Sequence, residues 1–191
     1  DVYKRQLLRG QGQFTDDMHL PGTLHAVFLR SPHPHARFTK IDKSRALAID
    51  GVQGVFTLQD FPKKVQENRL LLLLPNPAIS QPVMPHLLAR DEVHYVGEPF
   101  AVVLAESRYL AEDASGLVEV DWETLETVSD ARLALQPGAN TVHAESIDNV
   151  AAKFVCEYGD VNVAFTEAAH VVSVSIRHHR GGGHAIEGRG S

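Results

Sequence analysis

The chain has 191 residues, of which 43% are apolar and 22% charged, a balance typical of a globular protein with a packed core. A net charge of -6 without a basic stripe argues against a nucleic-acid-binding surface. Apolar runs such as Leu70 to Leu74 are far shorter than the roughly 20 residues of a membrane-spanning helix. With Cys156 alone, the chain cannot build an internal disulfide, a four-thiolate zinc site or an iron-sulfur cluster by itself.

The amino-terminal residues carry no signal for export. They lack an initiator Met, an apolar core and a small-residue cleavage site, so the sequence predicts a cytoplasmic protein. Residues 1–6 resemble the read-through translation of a sequencing adapter, and we expect them to be foreign to the protein. An ordinary charged terminus is the alternative.

The first half of the chain reads as strands separated by short turns. Apolar, β-favouring residues predict strands over 22–30, 36–41 and 52–57. The two prolines of residues 31–35 predict a rigid connector, and Asp42 is placed to cap a short helix that stops at Gly51. Five prolines between Asp60 and Leu88 predict a surface excursion without long elements, except for a short one over 70–74.

The second half begins with a strand-helix-strand pattern. Residues 91–95, a turn over 96–99 and a buried strand over 100–105 precede Ser107, which is a candidate helix cap. The predicted helix carries an apolar stripe and leads into a strand over 118–122; the stripe consists of Tyr109, Leu110, Ala114 and Leu117.

A domain boundary is predicted in the loop of residues 137–140, after a short helix over 130–135. Beyond it the pattern predicts a strand over 153–158, a helix over 161–169 capped by Asp160, and a strand over 171–176.

The histidines do not form a recognisable metal motif. The densest group is His178, His179 and His184 with Glu187, but consecutive strand residues point to opposite faces and no zinc-binding pattern occurs. Histidines at a sheet edge or a buried interface are therefore the favoured interpretation. His33 and His35 lack a third ligand nearby and are interpreted as solvated loop residues.

Neither the glycine clusters nor the carboxylate cluster indicates a functional site. Gly10 to Thr15 has Thr in place of the third Gly of a dinucleotide fingerprint, and Gly181 to Gly183 lacks the Lys-Ser/Thr pair of a phosphate loop. We expect the latter to allow close backbone approach or positive φ. The tightest carboxylate group is interpreted as a solvated face; it contains Glu112, Asp113, Glu119, Asp121 and Glu123. The residues alone predict no catalytic, cofactor-binding or metal site.

Several stretches in one order resemble the molybdopterin-binding large subunit of the xanthine dehydrogenase, aldehyde oxidase and aerobic carbon monoxide dehydrogenase family. These stretches are Leu7 to Asp17, Leu20 to Gly22, Arg30 to Arg37, Gly51 to Thr57, His94 to Pro99, Ala111 to Glu123, Asp148 to Ala151 and Gly159 to Val161. The resemblance implies an α+β fold: an α/β-hammerhead domain over 7–136, then, over 137–191, a linker and the start of a molybdopterin-binding domain entered near Arg180.

The resemblance also implies an activity for the complete subunit. That activity is molybdenum-dependent hydroxylation of aldehydes, purines or carbon monoxide with water as oxygen source. It implies a molybdopterin cofactor in its cytosine dinucleotide form, FAD and 2Fe-2S partner subunits, and a dimer of heterotrimers. The family's catalytic glutamate and cofactor-binding glycines lie downstream of Ser191, so the chain is expected to be inert alone. A free-standing hammerhead binding module is the alternative hypothesis.

Overall fold

The computed structural model describes residues 2–70, 76–81, 83–178 and 181–183. The chain divides into two compact units. The central unit is Gly22–Phe154, and the terminal unit combines residues 1–21 with residues 155–191. The predicted short element over 70–74 falls mostly outside the described residues. Within the described part, no helix has the length and apolar character needed to cross a membrane.

Two antiparallel three-stranded sheets form the central unit. The first has the strand order β1-β5-β3, built from β1 (His25–Arg30), β5 (Pro99–Ala105) and β3 (Val52–Thr57). The second has the order β4-β2-β6, built from β4 (Glu92–Val93), β2 (Ala36–Asp42) and β6 (Glu119–Thr124). These strands confirm the predictions over 22–30, 36–41, 52–57, 100–105 and 118–122. Strands β5 and β6, the two strands of the predicted strand-helix-strand pattern, lie in different sheets.

The main core lies among both sheets and helix α4 (Arg108–Ser115). The middle strand β5 is almost continuously buried, and Val103 is paired with Val27 on one side and Val55 on the other. Trp122 packs edge-on against Phe38 and Phe100 at ring-centroid distances of 5.7 and 5.3 Å. A smaller apolar cluster of Leu58, Leu88 and Val102 extends the core. This packing explains why the apolar runs of the sequence become strands.

Of the two helix caps predicted in the central unit, one is confirmed. The Ser107 hydroxyl accepts a hydrogen bond from the backbone N–H of Leu110, as an N-cap does. The N-cap of α2 (Ser44–Leu47) is Lys43 rather than the predicted Asp42, although Asp42 accepts hydrogen bonds from both the backbone N–H and the hydroxyl of Ser44. Helix α3 (Lys63–Glu67) follows Pro62 inside the predicted excursion, where a proline is tolerated because the first helical N–H groups have no intrahelical partner.

Residues 127–154, named here the connector, complete the central unit. The predicted helix over 130–135 is reduced to a 3-10 turn, Leu133–Leu135. The connector then lies along residues 78–81, with an isolated bridge between Ile79 and Ala152 and a hydrogen bond from the Lys153 N–H to the Ala78 carbonyl.

The terminal unit contains helix α1 (Val2–Leu8), a 3-10 turn (Thr15–Asp17) and helix α5 (Val161–Glu167). Asp160 caps α5 by accepting from the Val163 N–H, as predicted. The predicted strands over 153–158 and 171–176 are wrong: both segments lack strand structure, and the apolar side chains of the second are exposed. Alternating Val and Ser residues form a strand only where a neighbouring strand supplies hydrogen bonds, and these segments have no such neighbour in the described part of the chain.

Candidate functional site

The central unit contains a cavity of about 520 Å³ between residues 83–98 and the connector. Strand β4 and the turn that follows it form one wall, and residues 142–145 form another. Ionisable side chains dominate the lining. They are Arg69, His86, Arg90, Asp91, Glu92, His94, Tyr95, Glu98, His143 and Glu145. We name this feature the histidine cavity.

Glu92 joins the cavity to strand β2. Its two carboxylate oxygens lie 2.9 Å from His35 Nε2 and 3.0 Å from Arg37 Nη2. Burial alone raises the pKa of Glu92, but the hydrogen bonds from His35 and Arg37 outweigh it and hold the pKa below its ordinary value. The other ring nitrogen of His35 lies 2.6 Å from the Glu126 carbonyl oxygen, so a ring protonated at both nitrogens makes two hydrogen bonds.

Glu98 and His94 occupy the wall of the cavity. The Glu98 residue is only 6% exposed, and its carboxylate accepts a hydrogen bond from the backbone N–H of His94. The same carboxylate lies 3.5 Å from His94 Nδ1, and Glu92 lies 3.6 Å from His94 Nε2. Burial by itself lowers the pKa of His94, but the contacts with Glu98 and the charge of Glu92 raise it above its ordinary value.

His143 reaches the cavity from the connector. Its ring centroid lies 4.1 Å from that of His94 with the planes inclined by 33°. Burial, and then the positive charge of His94, lower the pKa of His143 below its ordinary value. The adjacent Glu145 accepts a 2.8 Å hydrogen bond from Arg69. The pKa values of these two neighbouring imidazoles are therefore shifted in opposite directions.

The chemistry available to these groups is ion pairing and proton uptake. Among the described residues, no group of three His, Cys, Asp or Glu side chains could hold a metal ion. Every buried side-chain nitrogen or oxygen in that part of the chain has a hydrogen-bond partner. Because the carboxylates of Glu92 and Glu98 already have partners within the protein, we interpret the cluster as a structural network.

The sequence-based interpretation of His33 and His35 as solvated loop residues is wrong. Both are partly buried: His33 packs edge-on against Trp122 at 5.3 Å, and the side chain of His35 is 13% exposed. Of the other histidine group, His178 is described in an irregular segment, whereas His179, His184 and Glu187 lie outside the described residues.

The carboxylate and glycine interpretations have separate outcomes. Glu112, Asp113, Glu119, Asp121 and Glu123 are all exposed, which confirms a solvated face. Gly10 follows helix α1 rather than a strand, so this segment does not have the strand-turn-helix context of a dinucleotide fingerprint. The expected role of Gly181 to Gly183 is wrong, because none has positive φ and an added Cβ would have no atom within 4 Å.

Sequence reasoning missed the cavity itself. A local signal was present, since Glu92, His94 and Glu98 lie within seven residues of one another. The contacts from His35 and His143 had no such signal, because both residues are distant from β4 in the chain. Only the pairing of β2 with β4 and the return of the connector bring them together.

The architecture is that of an α+β domain in which two antiparallel sheets share one core with a helix. Residues 9–126 match the family described as aldehyde oxidase and xanthine dehydrogenase, a/b hammerhead domain. The chain belongs to this family. The hammerhead fold and the family predicted from the ordered motifs are thereby confirmed.

Individual relatives support the assignment over almost the whole chain. The nicotine 6-hydroxylase large subunit of Paenarthrobacter nicotinovorans is 40% identical over 186 residues, which are 97% of this chain and 22% of that protein. The carbon monoxide dehydrogenase large chain of Hydrogenophaga pseudoflava is 36% identical, over 70% of this chain and 16% of that protein. The solved quinoline 2-oxidoreductase from Pseudomonas putida 86 is 33% identical with a TM-score of 0.73, over 88% of this chain and 21% of that chain. The chain thus spans about a fifth of the length of these relatives.

Proposed function

We propose that the chain is the amino-terminal structural portion of a molybdenum hydroxylase large subunit. The observation that carries the proposal is the alignment of 97% of the chain with only 22% of a hydroxylase large subunit. The hammerhead unit has a complete core and a satisfied charge network, which suit a scaffold rather than a reaction centre. By itself the chain is expected to be catalytically inert.

The cofactors belong, in this proposal, to the remainder of the assembly. The described residues do not fit a molybdenum site, because they offer neither a group of metal ligands nor a buried polar side-chain atom in need of a partner. We therefore assign molybdopterin, in its cytosine dinucleotide form, to the downstream domain. FAD and 2Fe-2S clusters are assigned to partner subunits in a cytoplasmic dimer of heterotrimers.

We further propose that residues 137–191 link the hammerhead domain to a molybdopterin-binding domain and begin that domain. Apolar side chains in this stretch support the proposal. Phe165 of α5 is 62% exposed and Val172 is 89% exposed, a degree of exposure that additional protein surface would remove. Residues 137–154 of this stretch belong to the connector, which is part of the central unit.

The substrate proposed first is an aromatic nitrogen heterocycle. Support comes from the names of two relatives, a nicotine 6-hydroxylase and a quinoline 2-oxidoreductase. Aldehydes, purines and carbon monoxide are the alternatives carried by the wider family resemblance.

The test is to recover the contiguous gene beyond Ser191 and to express the full subunit with its neighbouring subunits. Molybdenum content is measured together with substrate-dependent reduction of an artificial electron acceptor, using quinoline, nicotine, a purine, an aldehyde and carbon monoxide separately. Bound molybdenum with turnover of a heterocycle supports the complete proposal. Turnover of another substrate overturns only the substrate assignment, and a full-length product without molybdenum overturns the enzyme assignment.

A free-standing hammerhead binding module is the second candidate function. The proline-rich excursion between Asp60 and Leu88 would then supply the partner surface. A short natural open reading frame ending near Ser191, whose product folds as a stable monomer without further protein, would favour this module. An open reading frame of the length of the relatives would exclude it.

A further inference from the structure

The connector is attached to the rest of the central unit mainly by polar contacts. Arg69 contacts Glu145, the side chain of Gln81 donates to Asp148 at 2.7 Å, and the Ile147 N–H donates to Gln81 at 2.9 Å. No residue from 141 to 150 is fully buried, and Ile147 is 92% exposed. Because exposed hydrogen bonds contribute little net stability, the connector is an element of low local stability.

The ring contact between His143 and His94 joins the connector to the buried charge network. We propose that His143 is a proton-controlled latch, which in its neutral form holds residues 142–153 against the histidine cavity and on protonation in mild acid releases them. The connector runs directly into residue 155, where the terminal unit resumes. Release therefore lengthens the free chain that links the two units.

The charges around His143 determine which of its protonation states favours docking of the connector. On one side lies His94, whose contacts with Glu92 and Glu98 favour the imidazolium ion. On the other sides are the remaining ionisable lining residues, which are Arg69, His86, Arg90, Asp91, Tyr95 and Glu145. A proton on His143 places a second cation 4.1 Å from the His94 ring, in a partly buried site where charges are poorly hydrated.

The sign of the pH dependence of docking follows from the pKa shift of His143. Its pKa is lower in the docked state, whereas the released residue has the ordinary histidine pKa of about 6.5. Docking is therefore favoured above that pH, and the preference declines as the pH falls from about 6.5 through the lower, docked value. Glu145 does not explain the same window, because its own backbone N–H and Arg69 hold its pKa below the ordinary carboxylate value.

Hydrogen exchange of the full chain tests the latch. The reporters are the backbone amides of Ile147 and Lys153, which donate to Gln81 and Ala78, both outside the connector. After correction for intrinsic rates, their protection is expected to fall several-fold from about pH 7.5 to about pH 5.5, a range that brackets the ordinary histidine pKa. Protection of strand β5 should stay constant and so report that the core remains folded.

Three substitutions separate His143 from other histidines. His143→Phe keeps an aromatic ring but cannot be protonated, so its connector should stay protected at both pH values. His25→Phe, at an exposed position of β1, should behave like the wild type. His86→Phe tests the other cavity histidine with a lowered pKa and should also retain the pH dependence.

Two results would overturn the proposal. One is connector protection that does not change with pH in the wild type, or that changes equally in His143→Phe. The other is an NMR titration of the histidine rings in which His143 titrates at or above the ordinary histidine pKa of about 6.5. This second measurement uses the unmodified chain, so it remains decisive if a variant fails to fold.

Discussion

Gly97 has a backbone conformation that other residues rarely adopt. Its φ is +93°, at the turn between Val96 and Glu98. Its N–H donates to the Ser31 carbonyl at 2.8 Å, and its own carbonyl accepts from Arg30 at 2.9 Å. An added Cβ would have no atom within 4 Å, so a substitution here meets conformational strain without a steric clash.

Gly97→Ala is therefore expected to lower the free energy of unfolding by roughly 1 kcal/mol or more. Gly116→Ala is the matched control, because Gly116 has φ -69° at the end of α4 and an alanine fits there. That variant should be neutral or more stable by up to about 1 kcal/mol. Urea denaturation of both variants measures the difference, and equal stabilities would show that the turn tolerates a side chain.

At the scale of single residues, local chemistry could be predicted and distant partners could not. The cap at Ser107 and the turn at Gly97 depend on neighbours within a few positions, so the sequence indicates them directly. His35 was predicted to be solvated because its partner Glu92 is 57 residues away in the chain. Burial of a polar side chain depends on such partners and leaves no local pattern.

Helix α4 packs on the sheets through small residues. Ala111 and Ala114 are fully buried, whereas Tyr109, which belongs to the predicted apolar stripe, is 81% exposed. Of the predicted stripe, Leu110, Ala114 and Leu117 do pack in the core. The stripe was wrong in including Tyr109 and omitted the buried Ala111. Small side chains allow the close approach of helix and sheet, and hydrophobicity alone ranks them below leucine in a periodic pattern.

Ala114→Leu is expected to destabilise the central unit by roughly 1 to 3 kcal/mol, because the larger side chain overpacks a filled core. Tyr109→Ala removes a much larger side chain from the same helix and should change stability by no more than about 0.5 kcal/mol. Thermal or urea unfolding of both variants tests the assignment of the buried face. A greater loss for Tyr109→Ala would show that the opposite face of α4 is the packed one.

Strand prediction succeeded where the fold supplies hydrogen-bonding neighbours. Strand β5 has a paired strand on each side, and its apolar run is a strand as predicted. Residues 171–176 have an equally favourable sequence but no strand structure. The local sequence indicates only a preference for extended backbone. A strand forms where neighbouring strands from elsewhere in the chain supply hydrogen bonds.

For the whole molecule, acid is expected to act through the charge network that joins β2 to β4. The pKa of Glu92 lies below its ordinary value of 4.5, so the ionised carboxylate stabilises the folded state above that pH. This contribution is lost as the pH falls below 4.5 and through the lower, folded-state value. The proposed His143 latch acts at higher pH and concerns the connector, so the two effects occur in separate pH ranges.

Glu92→Gln should therefore be less stable than the wild type near neutral pH and lose less stability on acidification. The amide oxygen can keep the hydrogen bond from either His35 or Arg37 but not both, because a donating NH2 group replaces the other oxygen. The amide also carries no charge to lose. Glu123→Gln is the control, because Glu123 is 61% exposed and lies 3.9 Å from Arg37. Melting temperatures measured from about pH 6 to about pH 3 should give a Glu92→Gln curve that converges with the wild type in acid, while the control remains parallel to the wild type. A Glu92→Gln curve with a constant offset would mean that Glu92 stabilises the sheet through hydrogen-bond geometry and not through its charge.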